Sequence, residues 1–166
     1  MWWSNRAKLV SIWWSQGVIE DEVLRVERRL GVALAVWGAG STAVGGLLSW
    51  RGKNAATRAF GRQTAGWGFV DGVIATVAHF RNRNRTEAPD EEDAIRLRRV
   101  LLVNTLLDVG YVASGLLLLT QANRLAKVIR WPKNYGSSEL RGDGLAVVIQ
   151  GGFLFVIDSA ALRELQ

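Results

Sequence analysis

A chain of 166 residues with 49% hydrophobic residues, 18 Gly and only 2 Pro has the composition of one folded domain, not of a disordered segment. Its net charge of +6 and pI near 10.5 would suit nucleic acid, but the arginines sit between apolar runs, where anionic lipid headgroups are the simpler partner and no nucleic acid is expected. Zero cysteines exclude disulfides and thiolate metal sites, and one histidine, His79, excludes a multi-histidine zinc or haem site, so neither metal nor cofactor is expected.

The first 29 residues place Leu9, Ile12, Trp13, Ile19, Val23, Val26 and Leu30 at helical spacing, with Lys8, Glu20, Asp21, Arg25, Arg28 and Arg29 elsewhere around the helix. Together with Trp2, Trp3 and Trp14, groups of the kind that settle at headgroup level, this predicts an interfacial amphipathic helix over residues 1–29. The apolar stretch is broken by Ser, Gln and Gly, and acidic residues stand where a cleavage site would be, so the segment is expected to be retained.

The transmembrane domain is expected over 30–166. Residues 30–50 lack any charge and are closed by Arg29 and Arg51, the length needed to cross about 30 Å of hydrocarbon. A second span covers 63–80 and contains Asp71; a third covers 100–123 and contains Asp108; a fourth covers 144–162 and contains Asp158. A water-soluble bundle would need a charged face along each helix, and none of these has one. The spacing therefore predicts an all-α integral membrane four-helix bundle.

Between the second and third spans, residues 81–99 carry six Arg and five acidic residues around Pro89, with Asp90 or Asp93 placed to cap the next helix. Leu125, Val128, Ile129 and Trp131 among Arg124, Lys127 and Arg130 predict a short second interfacial helix ended by Pro132, followed by a loop over 135–144. Four spans put both termini on one side, which carries 12 Lys and Arg against 9 on the other, so cytoplasmic termini are expected.

Carboxylates inside a span are costly and face protein or water. Asp71 shares its helical stripe with Thr64, Gly68, Gly72, Ala75 and His79, and Gly68 with Gly72 is a close-packing signal that Gly38, Thr42 and Gly46 of the first span match. Asp108 stands with Asn104, Tyr111 and Gly115 on one stripe of the third span. Counted from the span ends, Asp71 and Asp108 reach similar depth on helices expected to be antiparallel neighbours. The two are expected to meet, sharing a proton, binding a cation, or taking hydrogen bonds from Asn104, Gln150, Tyr111 or Trp67. His79 and Asp158 form a second conceivable pair nearer the membrane edge. Against these stands the simpler reading that Asp, Asn and Gln act as polar glue between helices, worth about 0.6 to 2 kcal/mol each.

No GxSxG, HExxH or P-loop pattern occurs, Gly38-Ala-Gly40 lies inside an apolar span with no strand before it, and no Lys lies in a span to form a Schiff base. Four stretches carry a resemblance: Trp37 to Gly46, Gln63 to Trp67, Asn104-Thr-Leu-Leu-Asp108-Val-Gly-Tyr111 with Gly115, and Gly144 through Gln150-Gly-Gly-Phe153 to Asp158. Over roughly residues 25–162 the chain resembles an uncharacterised family of small bacterial four-span membrane proteins, a domain of unknown function. The resemblance implies a bacterial inner-membrane location and no particular activity.

The leading expectation is a non-enzymatic membrane module that packs through its small-residue faces, as a homo-oligomer or an accessory subunit of a larger membrane complex. The rival is a proton- or cation-linked carrier using Asp71 and Asp108, with Asn104, Tyr111 and Gln150 as neutral ligands. A third class is a lipid- or quinone-handling enzyme using Asp158 and His79.

Overall fold

The chain, described as a computed structural model over residues 2–128 and 135–165 with side chains from residue 17 onward, consists of four α-helices: α1 (Trp2–Arg51), α2 (Ala55–Arg83), α3 (Glu91–Val128) and α4 (Ser137–Glu164). No strand occurs among the described residues. Three helices are long and apolar enough to cross a membrane: α1 over Gly17–Arg51, α3 and α4. α2 is not one of them, because Gln63, Thr64, Asp71 and His79 with several glycines dilute its apolar content.

Local chemistry sets the helix starts. Asn54 caps α2, its Oδ1 accepting from the Thr57 N–H at 2.8 Å, and Asp90 caps α3, its Oδ1 accepting from the Asp93 N–H at 2.9 Å. Pro89 stands immediately before that cap, and Glu91, Glu92 and Asp93 suit the positive end of the α3 dipole. The Gly136 N–H donates to Glu139 Oε2 at 3.0 Å, so α4 begins at Ser137 and the expected 135–144 loop is mostly helix.

The separate interfacial helix expected over 1–29 is not formed as such: the backbone runs unbroken from Trp2 to Arg51. From residue 17 onward the reason is visible. Val23 and Val26 are both 1% exposed, and Val26 joins Leu101 of α3 and Ala161 of α4 in an apolar cluster flanked by Leu30, Leu97 and Leu162. Val23 and Val26 of that stripe are thus covered by protein and not left for a lipid surface. Glu27, one position along, accepts from Arg81 at 3.3 Å and from Arg85 at 3.1 Å, fixing α1 to the end of α2. The side chains of Trp2, Trp3, Leu9, Ile12, Trp13 and Trp14 lie outside the described ones. The second interfacial helix is likewise replaced at its start by α3, which includes Leu125 and Val128, while Ile129, Trp131 and Pro132 lie outside the described residues.

The helices pair as two hairpins, α1 with α2 and α3 with α4, and the hairpins join mainly where α4 lies against α2. Backbone-to-backbone contact closes each hairpin. A Cβ placed on Gly68 would sit 2.7 Å from the Gly38 carbonyl oxygen and 2.6 Å from the Thr42 nitrogen. In the other hairpin, a Cβ on Gly115 would lie 2.7 Å from the Gly144 oxygen, and one on Gly144 the same distance from the Gly115 oxygen. Only residues without side chains permit that approach. Between the hairpins, a Cβ on Gly142 would overlap the Ala56 oxygen at 2.1 Å, so this residue of the expected 135–144 loop is a helical contact.

The resulting distribution is inverted relative to a water-soluble bundle. Ser41, Thr64, Asp71, Asp108, Gln150 and Asp158 are buried, whereas Val36, Phe69, Leu106 and Val156 stand 63–70% exposed on the four helices. Polar groups face inward and large apolar ones outward.

Candidate functional site

Asp71 points from α2 toward α1 at the place where Gly38 allows contact. A Cβ on Gly38 would lie 3.2 Å from the Asp71 Cβ and 2.8 Å from the Gly72 nitrogen. The carboxyl is 2% exposed, and its Oδ2 has no hydrogen-bond partner. Thr64, two turns earlier on the same face, is also buried with an unpartnered hydroxyl. Gly72 itself has open space where a Cβ would be, and so does Gly46, which faces outward; Gly45 makes the α1 contact instead, against Gly61 and Ala65. Gly38, Thr42 and Gly68 lie together, and Gly115 lies on the other hairpin against Gly144.

Asp108 does not meet Asp71. α2 and α3 are not packing neighbours; α4 lies against both, and the rings of Trp67 and Tyr111 bridge the gap edge-on, with centroids 5.0 Å apart. Asp108 faces α4, where Gly151 is close enough that a Cβ would lie 3.0 Å from the Tyr111 Cβ and 3.3 Å from the Asp108 carbonyl oxygen. Across that contact Asp158 lies within electrostatic reach of Asp108 and within hydrogen-bonding reach of the Asn104 side chain. Asp108 and Asp158 are both buried, and Asp108 Oδ2 has no partner. The signal for this pairing is present in the sequence: Asn104 lies four residues inside the start of the third span and Asp158 four residues inside the end of the fourth, which gives equal depth on antiparallel helices.

Gln150 serves neither carboxyl. Its Oε1 accepts from the Trp37 indole N–H, its Nε2 donates to Ser41 Oγ at 3.2 Å, and Trp37 stacks on Phe153 with ring centroids 4.0 Å apart and planes 7° from parallel. This node ties α1 to α4, and Trp37 and Ser41 are its members that residue type alone does not reveal. His79 is exposed and lines a cleft between α1 and α2, whereas Asp158 is buried against α3, so no hydrogen bond or ion pair joins the two among the described residues.

Where the helices emerge beyond the spans, the Tyr135 O–H donates to Asp143 Oδ2. Burial first, then the hydrogen bond to Asp143 and that carboxylate's charge, push the Tyr135 phenol up to about 12, with Arg62 opposing. No group of three or more His, Asp or Glu is arranged to hold a metal ion among the described residues. The chemistry available inside the bundle is therefore carboxyl and amide chemistry: holding a proton, or accepting hydrogen bonds from a small polar ligand.

A family model described as "Family of unknown function (DUF6992)" matches residues 33–159, which takes in the Trp37–Gln150 node and all three buried aspartates. No curated protein and no solved structure matches the chain.

Proposed function

The chain belongs to that family of unknown function, and from this premise we propose that it is a four-span protein of the bacterial inner membrane that works as a non-enzymatic module, as a homo-oligomer or an accessory subunit. The observation that carries the reading is the inverted burial, with polar side chains inside and large apolar ones outside. It supports α2 as the fourth span despite that helix's lower hydropathy, because Phe69, Val73 and Val77 face outward while Gly68, Asp71 and Ala75 face inward. The contacting glycines are occupied within the chain, so partner helices would meet the outward Val and Leu faces. Anionic lipid headgroups would flank the spans at their arginines.

The absence of cysteine makes topology directly readable. Single cysteines at Lys53 and at Glu87 should label from opposite sides of the membrane in sealed cells; labelling from the same side eliminates α2 as a span. Native mass spectrometry from mild detergent then reads oligomer and subunit partners, and a strictly monomeric, unaccompanied chain removes the module reading.

A second reading, proton-linked transport, draws its support from Asp108 and Asp158, both buried and within electrostatic reach of each other, with Asp108 Oδ2 unpartnered. It requires proton flux in liposomes that disappears in Asp108→Asn. Flux unchanged in both Asp108→Asn and Asp158→Asn rules it out.

A further inference from the structure

Beside Arg28 of α1 and Arg83 of α2 the two helices line a cleft of about 640 Å³. Its inner wall is Gly31, Val32, Ala35, Ala75 and Ala78, and its mouth is Glu27, Arg28, His79, Asn82 and Arg83. Arg28 to Ala35 is roughly 10 Å along the helix axis, so the cleft passes from charged to apolar over the distance from a phosphate to the upper acyl carbons of a lipid. The charges at the mouth are unevenly matched. Glu27 is the acidic group there, and Arg81 and Arg85 both bind it. Arg28 and Arg83 are exposed and take part in no ion pair among the described residues. Beside them Asn82 Oδ1 is shielded from solvent and receives no hydrogen bond from the chain. An acceptor without a donor beside two arginines without an anion is complementary to a group that is anionic and also carries a hydroxyl.

We propose that this cleft binds one anionic phospholipid with a hydroxylated headgroup, of the phosphatidylglycerol class. Arg28 and Arg83 hold its phosphate, the headgroup hydroxyl donates to Asn82 Oδ1 once that side chain turns into the cleft, and an acyl chain lies along Val32, Ala35 and Ala75. The site rests on the reading that α1 and α2 both span the bilayer, since only then does the mouth lie at headgroup depth.

The test is native mass spectrometry of the full chain from nanodiscs holding equal phosphatidylglycerol, phosphatidylethanolamine and phosphatidylcholine. The expected result is one retained phosphatidylglycerol, at least tenfold weaker in the Arg28→Ala/Arg83→Ala variant and about threefold weaker in Asn82→Leu. Both arginines are exposed, so the double variant should keep the wild-type circular dichroism. Equal retention of phosphatidylethanolamine, or undiminished retention by the double variant, overturns the site. No change in Asn82→Leu overturns the hydroxyl contact. Displacement of the lipid by millimolar glycerol 3-phosphate would assign the arginines to a free phosphate instead. Same-side labelling at Lys53 and Glu87 would sink the four-span reading separately, whatever the lipid result.

Discussion

The two hairpins are built alike and hold unlike chemistry. α1 and α2 close over Gly38 and Gly68, α3 and α4 over Gly115 and Gly144, each contact lets backbone touch backbone, and each hairpin holds buried carboxyl groups. Asp71 faces a glycine and helix backbone and nothing that can share its proton. Asp108 lies within electrostatic reach of a second buried carboxyl, Asp158. A buried carboxyl becomes a candidate for function through what the opposite helix presents, not through its own burial.

The largest expected effect tests the shared feature. Gly68→Leu and Gly115→Leu should each wedge a hairpin open and cost about 3 kcal/mol, read as a fall in thermal midpoint in detergent. A variant melting within a degree of the wild type would show that its hairpin does not need the contact. Next comes the difference between the aspartates. Asp71→Ala removes a carboxyl whose oxygen is unsatisfied and should raise stability by about 1 kcal/mol, whereas Asp108→Ala should change proton binding, measured by infrared difference spectroscopy of the carboxyl stretch. If the carboxyl signal instead follows Asp71, the contrast drawn between the hairpins is reversed.

A smaller effect probes the link between the hairpins. Gln150→Leu leaves Trp37 Nε1 and Ser41 Oγ without their partner and should cost roughly 1 kcal/mol in thermal stability, whereas Gln150→Glu keeps the acceptor for Trp37 and should cost less. The smallest is confined to the ends of the bundle. In a Tyr111→Phe background, tyrosinate absorbance from Tyr135 should titrate near 12 and not near the usual 10. Because the folded chain holds this proton more tightly than the unfolded one, the linked stability is whole below pH 10 and is lost as pH rises from 10 through about 12. A midpoint at 10 would mean that the Asp143 contact is absent in solution.

Much of the fold is legible in residue order. Asp90 or Asp93 after Pro89 predicts the start of α3, where Asp90 proves to be the cap, and the charge-free stretch 30–50 predicts the membrane-length part of α1. The segment before it was harder to read, because one apolar stripe serves equally against lipid or against protein, and Val23 and Val26 take protein. The expected Asp71–Asp108 meeting failed for a related reason: consecutive helices are neighbours by default, but here α4 lies against α2 and takes the place α3 would have filled. Gly142 against Ala56 makes that approach possible, and nothing in the spacing of one helix identifies its partner.

Sequence by itself determined that the long apolar stretches are helical and that small and polar residues share their inward faces. Those properties depend on period and composition within a single segment. Tertiary structure decided the neighbours: Asp158 and not Asp71 within electrostatic reach of Asp108, Gln150 bonded to Trp37, Gly45 and not Gly46 against α2. Each depends on the rotation and register of two helices at once, and a shift of one residue turns a side chain about 100° around its helix.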